Sequence, residues 1–258
     1  MTAAIDKSLL IESALSGHGV PIDRPTAFIA GELESASSTE LVTGDLTQSE
    51  IAIEILDEGG WQKNNIGLWE KKIGENVVTL SVTLRTGNDP VFAALTEKIT
   101  ASWRDIGVEV VAEKFEQSDL VQSVIRPREF EAILFGFDVG RSYDLYPFWH
   151  SSQQDDPGLN IAQYANVEVD SLLEDARTEQ FGPTRLETLN EASETISKEY
   201  PAIFIFQPTF TYVLDNRIKP ASMKQISRPA DRFANIAEWH TNTESLWPFF
   251  RSDDQTSE

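Results

Sequence analysis

The hydrophobic positions of the chain change repeatedly between two periods, the alternation of a β-strand and the three-to-four-residue spacing of a helix. The clearest helix lies between Phe92 and Ile106, after the start signal Asp89-Pro90 and before a glycine. The clearest strand is 77–84, in which apolar and polar residues alternate. Further strands are predicted at 108–115, 131–137, 202–207 and 210–214, and further helices at 5–16, 51–58, 118–125, 167–176 and 184–200.

Local signals refine these predictions. The segments Thr47–Glu50 ("TQSE") and Thr184–Glu187 ("TRLE") have the spacing of a capping box, and Asn166 is a typical N-cap. The run 131–137 ("EAILFGF") is apolar without interruption, so it predicts a central strand buried on both faces. Residues 18–46 predict a long surface loop, and 215–258 predict an irregular segment with a polar tail. Strands and helices that alternate through short connections predict an α/β layered fold with a mixed sheet and flanking helices.

Composition narrows the function classes. The chain has 258 residues, of which 40% are hydrophobic, so it can bury a core as one large domain or two small ones. A net charge of −21 disfavours nucleic acid and anionic membrane surfaces as partners. Without cysteine there is no disulfide, thiolate metal site or cysteine nucleophile. No apolar run reaches the roughly 18 residues of a membrane span, and the amphipathic N-terminus does not resemble a secretion signal.

Catalytic and metal-binding motifs are not recognisable. The chain has no G-x-S-x-G elbow, no phosphate-binding loop of the G-x-x-x-x-G-K-[ST] type and no H-E-x-x-H. Its histidines, His18, His150 and His240, lie far apart and match no ligand spacing. We therefore predict no catalytic residue, no metal and no cofactor. The enzymatic alternative is a glycosidase-like hydrolase that uses a carboxylate pair, for which Asp138 and Asp144 are the nearest acids to the segment discussed next.

The segment 140–150, "GRSYDLYPFWH", concentrates four aromatic residues around an arginine and an aspartate. It follows a predicted strand, and ligands of open α/β sheets bind beyond strand ends. Aromatic side chains beside a few charges are typical of a small-molecule pocket. The same pattern also allows a packing role, in which Tyr143, Phe148 and Trp149 hold the segment against the domain. A third possibility is a stand-alone interaction domain that uses this segment as a protein contact.

Several segments resemble, in order, the bacterial extracellular solute-binding proteins of family 5, the receptors of peptide and nickel ABC importers. The resemblance runs from about residue 3 to about residue 215. Its parts are "AIDKSLLIESALSGHGVP", "SEIAIEILDEGGW", "VVTLSVTLRTGNDPVFAALTEKITASWRDIGVEVVAEKF", "EAILFGFDVGRSYDLYPFW", "NIAQYANVEVDSLLEDA" and "RLETLNEASETISKEYPAIFIFQ".

The resemblance implies a fold and an organisation. Family members have two lobes that enclose the ligand, so residues 1–215 are expected to form a C-terminal lobe of the periplasmic-binding-protein type II kind, incomplete at its N-terminus. Residues 216–258 are expected to return to the other lobe, which this chain lacks. The implied partners are a peptide or small polar solute, ABC permease subunits and that other lobe. The parent protein would be extracytoplasmic, in the periplasm or as a surface lipoprotein, and would catalyse no reaction.

The resemblance also places the 140–150 segment in the ligand cleft. Tyr143, Phe148 and Trp149 would provide apolar or stacking contacts. Arg141, Asp138 and Asp144 would recognise charge, although Asp144 could instead brace the loop. Arg141 stands where peptide receptors place an acid for the α-amino group, which favours a carboxylate-bearing ligand. Further ligand-binding candidates are Phe137, Asn160 and Tyr164.

Overall fold

The computed structural model describes residues 1–25, 47–140, 142–220 and 229–241. It divides the chain between Thr209 and Phe210 into an N-terminal unit and a C-terminal unit, and the predicted organisation into a lobe over 1–215 and a returning segment over 216–258 stays a prediction. The N-terminal unit contains helices α1 Lys7–Leu15, α2 Gln48–Glu58, α3 Pro90–Asp105, α4 Gln117–Asp119, α5 Tyr146–Trp149, α6 Val167–Thr178 and α7 Pro183–Glu199. Its strands are β1 Gly19–Pro21, β2 Gln62–Lys63, β3 Trp69–Ile73, β4 Asn76–Thr79, β5 Ser81–Gly87, β6 Glu109–Phe115, β7 Ala132–Leu134 and β8 Phe206–Pro208.

The C-terminal unit is small in its described part. It contains the antiparallel pair β9 (Ile218–Lys219) and β10 (His240–Thr241) and two 3₁₀ turns, Pro229–Phe233 and Ile236–Glu238. Across the described part of both units, no helix combines the length and the apolar composition needed to span a membrane.

Helix α3 confirms the prediction made from local signals. Asp89 accepts a hydrogen bond from the backbone N–H of Val91, and Pro90 occupies the first turn, where its missing N–H costs nothing. Leu95, Ile99 and Trp103 are buried along one stripe of this helix. The capping box at Thr47–Glu50 and the Asn166 cap of α6 are confirmed in the same way. The predicted cap at Thr184 is wrong, because α7 begins one residue earlier, at Pro183 after Gly182.

A parallel three-stranded sheet in the order β6-β5-β7 forms the centre of the N-terminal unit. The prediction that 131–137 is a central strand is wrong, because only Ala132–Leu134 pairs and β5 is the central strand. The carboxylate of Glu131 accepts a hydrogen bond from the Thr83 N–H at 2.6 Å, which ends the ladder at that side. Phe137 is 40% exposed beyond the strand. The apolar run therefore continues past the sheet into the candidate site.

The predicted strand 77–84 is two strands in two sheets. β4 belongs to the antiparallel sheet β2-β3-β4, whereas β5 belongs to the parallel sheet. Leu80 lies at the change, where its N–H donates to the Trp69 carbonyl at 2.7 Å and its carbonyl accepts from the Glu109 N–H at 3.0 Å. The alternation of apolar and polar residues continues from β4 through Leu80 into β5. The sequence pattern therefore does not reveal that the chain passes from one sheet to another.

The remaining strand predictions also need correction. Of the predicted strand 202–207, only Phe206 and Gln207 lie in β8, which pairs with β1. Because β1 covers Gly19–Pro21, the prediction of an unbroken loop over 18–46 is wrong there, while 26–46 lies outside the described residues. The described residues 210–214 form no strand.

Two hydrophobic clusters stabilise the N-terminal unit. The first joins α1, α2 and α3 to the sheets through buried residues such as Leu10, Leu56 and Leu95. The second joins α6 and α7 to the 142–149 segment through Leu145, Trp149 and neighbours on both helices. Helices packed against these sheets confirm the predicted α/β fold class. The predicted mixed sheet is wrong, because among the described strands β6-β5-β7 is entirely parallel and β2-β3-β4 is entirely antiparallel. The second cluster places the 142–149 segment on a rigid base formed by α6 and α7.

Candidate functional site

The candidate site lies beyond the carboxyl ends of the parallel strands. The chain passes from β5 through α3 to β6 on one side of β5, and then crosses to β7 on the other side. Such a reversal of direction leaves a crevice outside the carboxyl ends of the two strands concerned, here β5 and β7. The segment that follows β7 leads directly into Ser142–His150, which we call the aromatic loop.

Asp144 fixes the aromatic loop to α6. Its two carboxylate oxygens each lie 3.2 Å from Arg177 Nε, and Oδ2 lies 2.7 Å from Arg177 Nη2. Oδ1 also accepts a hydrogen bond from the Tyr146 N–H at 3.2 Å. The hydrogen bond to Asp144 raises the pKa of Arg177 above its already high ordinary value. Of the two roles considered for Asp144, the geometry supports that of a brace within the loop.

The aromatic residues of the site divide into a stacked pair, of which Phe137 is exposed and Phe148 is half-buried, and a buried ring. Phe137 stacks on Phe148 with ring centroids 4.5 Å apart, and it keeps 40% of its surface exposed. Trp149 is only 3% exposed. Its ring contacts Phe137, Tyr164 and Phe204 at centroid distances of 6.3, 6.0 and 5.6 Å. Trp149 therefore belongs to the second hydrophobic cluster, and the Phe137–Phe148 pair offers the apolar surface.

The side chains of Asn160 and Tyr164 are also buried. Asn160 is fully buried; its Nδ2 donates to the carbonyls of His150 (3.1 Å) and Tyr164 (2.8 Å), and its Oδ1 accepts from the Tyr164 N–H (3.0 Å). The Tyr164 hydroxyl donates to Glu199, and burial, followed by this bond, raises the pKa of Tyr164. Both side chains stabilise the segment after the aromatic loop through these hydrogen bonds, so we do not assign them as ligand contacts.

The remaining predicted site residues lie at the start of the loop. Asp138 is exposed, and its Oδ1 accepts a hydrogen bond from the Gly140 N–H at 2.7 Å. Gly140 has φ +68°, a backbone conformation that favours glycine and turns the chain into the loop. Tyr143 is half-buried and packs against the second hydrophobic cluster. Arg141 lies outside the described residues.

Asp138 and Asp144 are each held by hydrogen bonds from their own surroundings. Each carboxylate accepts a hydrogen bond from the backbone of its own segment, and Asp144 is also neutralised by Arg177. Within the described ranges, no group of three or more histidine and carboxylate side chains converges on a point that could hold a metal ion. The surface offers an aromatic ring for stacking at Phe137 and an exposed carboxylate at Asp138.

Arg177 is the residue of this site that sequence reasoning missed. It stands on the same side of α6 as Asp170 and Glu174, since the three follow the i, i+4, i+7 spacing of one helix face. The polar residues of this amphipathic helix were visible in the sequence. Nothing in the sequence indicated that its partner was Asp144, which lies 33 positions away.

Comparison with known proteins identifies the family. Residues 1–157 match the profile described as "Bacterial extracellular solute-binding proteins, family 5 Middle". The chain belongs to this family. The oligopeptide-binding protein AppA of Bacillus subtilis is 25% identical over 210 residues, which are 81% of this chain and 37% of that protein. The family is a solute-binding one.

Solved structures show the same fold. The structure of AppA from Bacillus subtilis in complex with a nonapeptide superposes with a TM-score of 0.68 at 23% identity, covering 94% of this chain and 46% of that one. NikZ from Campylobacter jejuni in complex with Ni(L-His) gives 0.66 at 18% identity, covering 92% and 47%. The predicted type II periplasmic-binding-protein fold is thereby confirmed. This chain spans less than half the length of each of these proteins.

Proposed function

We propose that this chain supplies one wall of the ligand cleft of a receptor that delivers oligopeptides, or similar small polar solutes, to an ABC importer. The observation that carries the proposal is the exposed ring of Phe137, stacked on the half-buried Phe148, which lies beyond the carboxyl ends of the parallel strands in a chain of a solute-binding family. The names of its relatives support the ligand class, since they include an oligopeptide-binding protein and a complex with a nonapeptide.

The receptor would work by binding and release, without a chemical step. A second lobe would close over the aromatic loop by a hinge motion, and the closed form would dock on the permease. The place of action would be outside the cytoplasm, in the periplasm or at the cell surface as a lipoprotein. The two acids of the site favour this reading over hydrolysis, because Asp144 is held by Arg177 and Asp138 by the turn at Gly140.

Charge recognition would fall to the start of the loop. Asp138 presents an exposed carboxylate that could pair with a ligand amine. Arg141 would suit a ligand carboxylate, for which the guanidinium offers two parallel hydrogen bonds. A zwitterionic ligand such as a peptide would satisfy both residues. A buried charge without a partner is costly, so each should meet its opposite when the cleft closes.

Capture from a defined peptide pool tests this function. The full-length product of the gene that encodes this chain is incubated with an equimolar pool of random tri- to nonapeptides and examined by native mass spectrometry. The proposal expects intact peptides bound one per protein. Shortened peptides would indicate hydrolysis. If the protein binds a nickel–histidine complex and no peptide, the proposed ligand class is wrong. If it binds neither, the proposal is overturned.

Removing either ring of the stacked pair is expected to weaken this binding selectively. Phe137→Ala or Phe148→Ala should each lower peptide affinity by roughly fivefold, because a stacked aromatic contact contributes about 1 kcal/mol. Calorimetric titration with a peptide captured from the pool measures the change. The control is Ile66→Ala, which truncates a 79% exposed side chain between β2 and β3. Equal losses in all three variants would contradict the assignment of the surface.

A further inference from the structure

One face of α6 presents three polar side chains to the aromatic loop and the turn that follows it. Asp170 accepts hydrogen bonds from both the backbone N–H (2.8 Å) and the hydroxyl of Ser151. Glu174 Oε1 lies 3.3 Å from His150 Nε2. Arg177 binds Asp144, as described above. The three contacts follow one helix face from its first turn to its last, so α6 lies along the loop and holds it at successive points.

Arg177 makes the most extensive of these contacts. Besides the bidentate bond to Asp144, its guanidinium carbon lies 3.9 Å from the centroid of the Tyr146 ring. Tyr146 in turn stacks on His150 at 4.1 Å. A guanidinium group suits this position because it is planar, so it can stack on a ring while it donates two parallel hydrogen bonds in its own plane. Neither lysine nor an apolar residue can do both.

The contact between Arg177 and Asp144 acts on the aromatic loop and contributes little to the stability of the N-terminal unit. The Arg177 side chain is 42% exposed and that of Asp144 is 28% exposed, so their pairing stabilises the whole protein only modestly. The loop is anchored independently by Leu145 and Trp149, which are buried in the second hydrophobic cluster. Tyr146 and Phe148 are only partly buried against this cluster, and the polar contacts of Asp144 with Arg177 and the Tyr146 N–H act on the backbone that carries them.

We propose that Arg177 is a positioning residue, which fixes the conformation of the aromatic loop from α6 through Asp144 and Tyr146 and does not itself contact the ligand. The consequence for binding rests on the proposed function; the effect on the loop does not. Arg185, on α7, supports the same loop more weakly, since its Nη2 lies 3.4 Å from the Ser142 carbonyl oxygen.

Amide hydrogen exchange of the chain without ligand tests the proposal. The informative amides are those of Phe148, Trp149 and His150, which donate to the carbonyls of Leu145 and Tyr146. In Arg177→Met their exchange should be about two- to fivefold faster than in the wild type, as expected for the loss of a geometrically favourable surface pair. Arg177→Lys should resemble Arg177→Met, because an ammonium group cannot reproduce the planar double contact.

The control variant is Arg126→Met, which removes a comparably exposed arginine whose Nε lies 3.6 Å from Asp156 Oδ1. It should leave the exchange of these three amides unchanged. The proposal would be overturned if these three amides exchanged in Arg177→Met or in Arg177→Lys at the same rate as in the wild type. Faster exchange throughout α6 and α7 would also overturn it, because it would indicate that Arg177 stabilises the whole unit.

A binding arm separates this proposal from the function on which its consequence rests. With peptides captured by the full-length product, Arg177→Met should lower affinity about fivefold while the loop amides exchange faster. If the wild type captures no peptide, the proposed function fails, and the exchange measurement still decides whether Arg177 holds the loop. Unchanged peptide affinity together with faster loop exchange would refute the positioning role.

Discussion

Asn160→Asp is expected to lower the free energy of unfolding by about 4 kcal/mol at pH 7, because it leaves a buried charge without a compensating partner. The native amide donates to two carbonyls, those of His150 and Tyr164, with no exposure to solvent. A carboxylate at this position would face both carbonyl oxygens and donate to neither. Urea unfolding at pH 7 measures the loss.

The loss should depend on pH in a definite direction. Burial raises the pKa of the introduced carboxyl above its unfolded-state value. The destabilisation relative to the wild type is therefore smallest below about pH 4 and grows as the pH rises through the folded-state pKa. Asn65→Asp makes the same change at an exposed position and should alter stability by less than about 0.5 kcal/mol. Equal effects of the two variants would show that Asn160 is not buried.

Trp149→Ala is expected to destabilise the protein by about 4 kcal/mol, because it removes a nearly fully buried ring from the second hydrophobic cluster. The ring contacts Phe137, Tyr164 and Phe204, so the cavity would lie between the aromatic loop and the segment before β8. Thermal and urea unfolding measure the loss.

Trp149→Phe is the matched variant for this position. The indole N–H is buried without a hydrogen-bond partner in the described part of the chain, so replacing the indole by a phenyl ring gives up volume and no hydrogen bond. We expect a loss below about 1.5 kcal/mol. If Trp149→Ala instead kept its stability and lost only peptide affinity, Trp149 would be a ligand contact, as the sequence first suggested.

The sequence predicted those elements of the fold whose causes are local. Helix α3 has its cap at Asp89, its apolar stripe and its terminal glycine within 20 residues, and it forms as predicted. The strand errors have non-local causes. The change of sheet at Leu80 depends on hydrogen bonds with Trp69 and Glu109, and the start of β7 depends on a contact between Glu131 and Thr83. The pattern of apolar residues indicates which side chains are buried, but it does not indicate which strands pair with each other.

The aromatic loop could be recognised from local sequence, whereas the orientation of its side chains could not. The aromatic loop is conspicuous because its four rings are close in sequence. Whether a ring faces the ligand or the core is decided by helices that follow it, as the burial of Trp149 beside the exposed Phe137 shows. Asn160 appeared to be a polar candidate, yet its hydrogen bonds to His150 and Tyr164 satisfy it inside the chain.

The most direct test of the account is hydrogen exchange of the full-length product with and without a peptide captured from the pool. The account predicts slower exchange in the bound form at residues 137–140 and 142–149, and no change in the β2–β4 sheet. Protection confined to other regions, with the aromatic loop unchanged, would contradict the assignment of this loop as a wall of the ligand cleft.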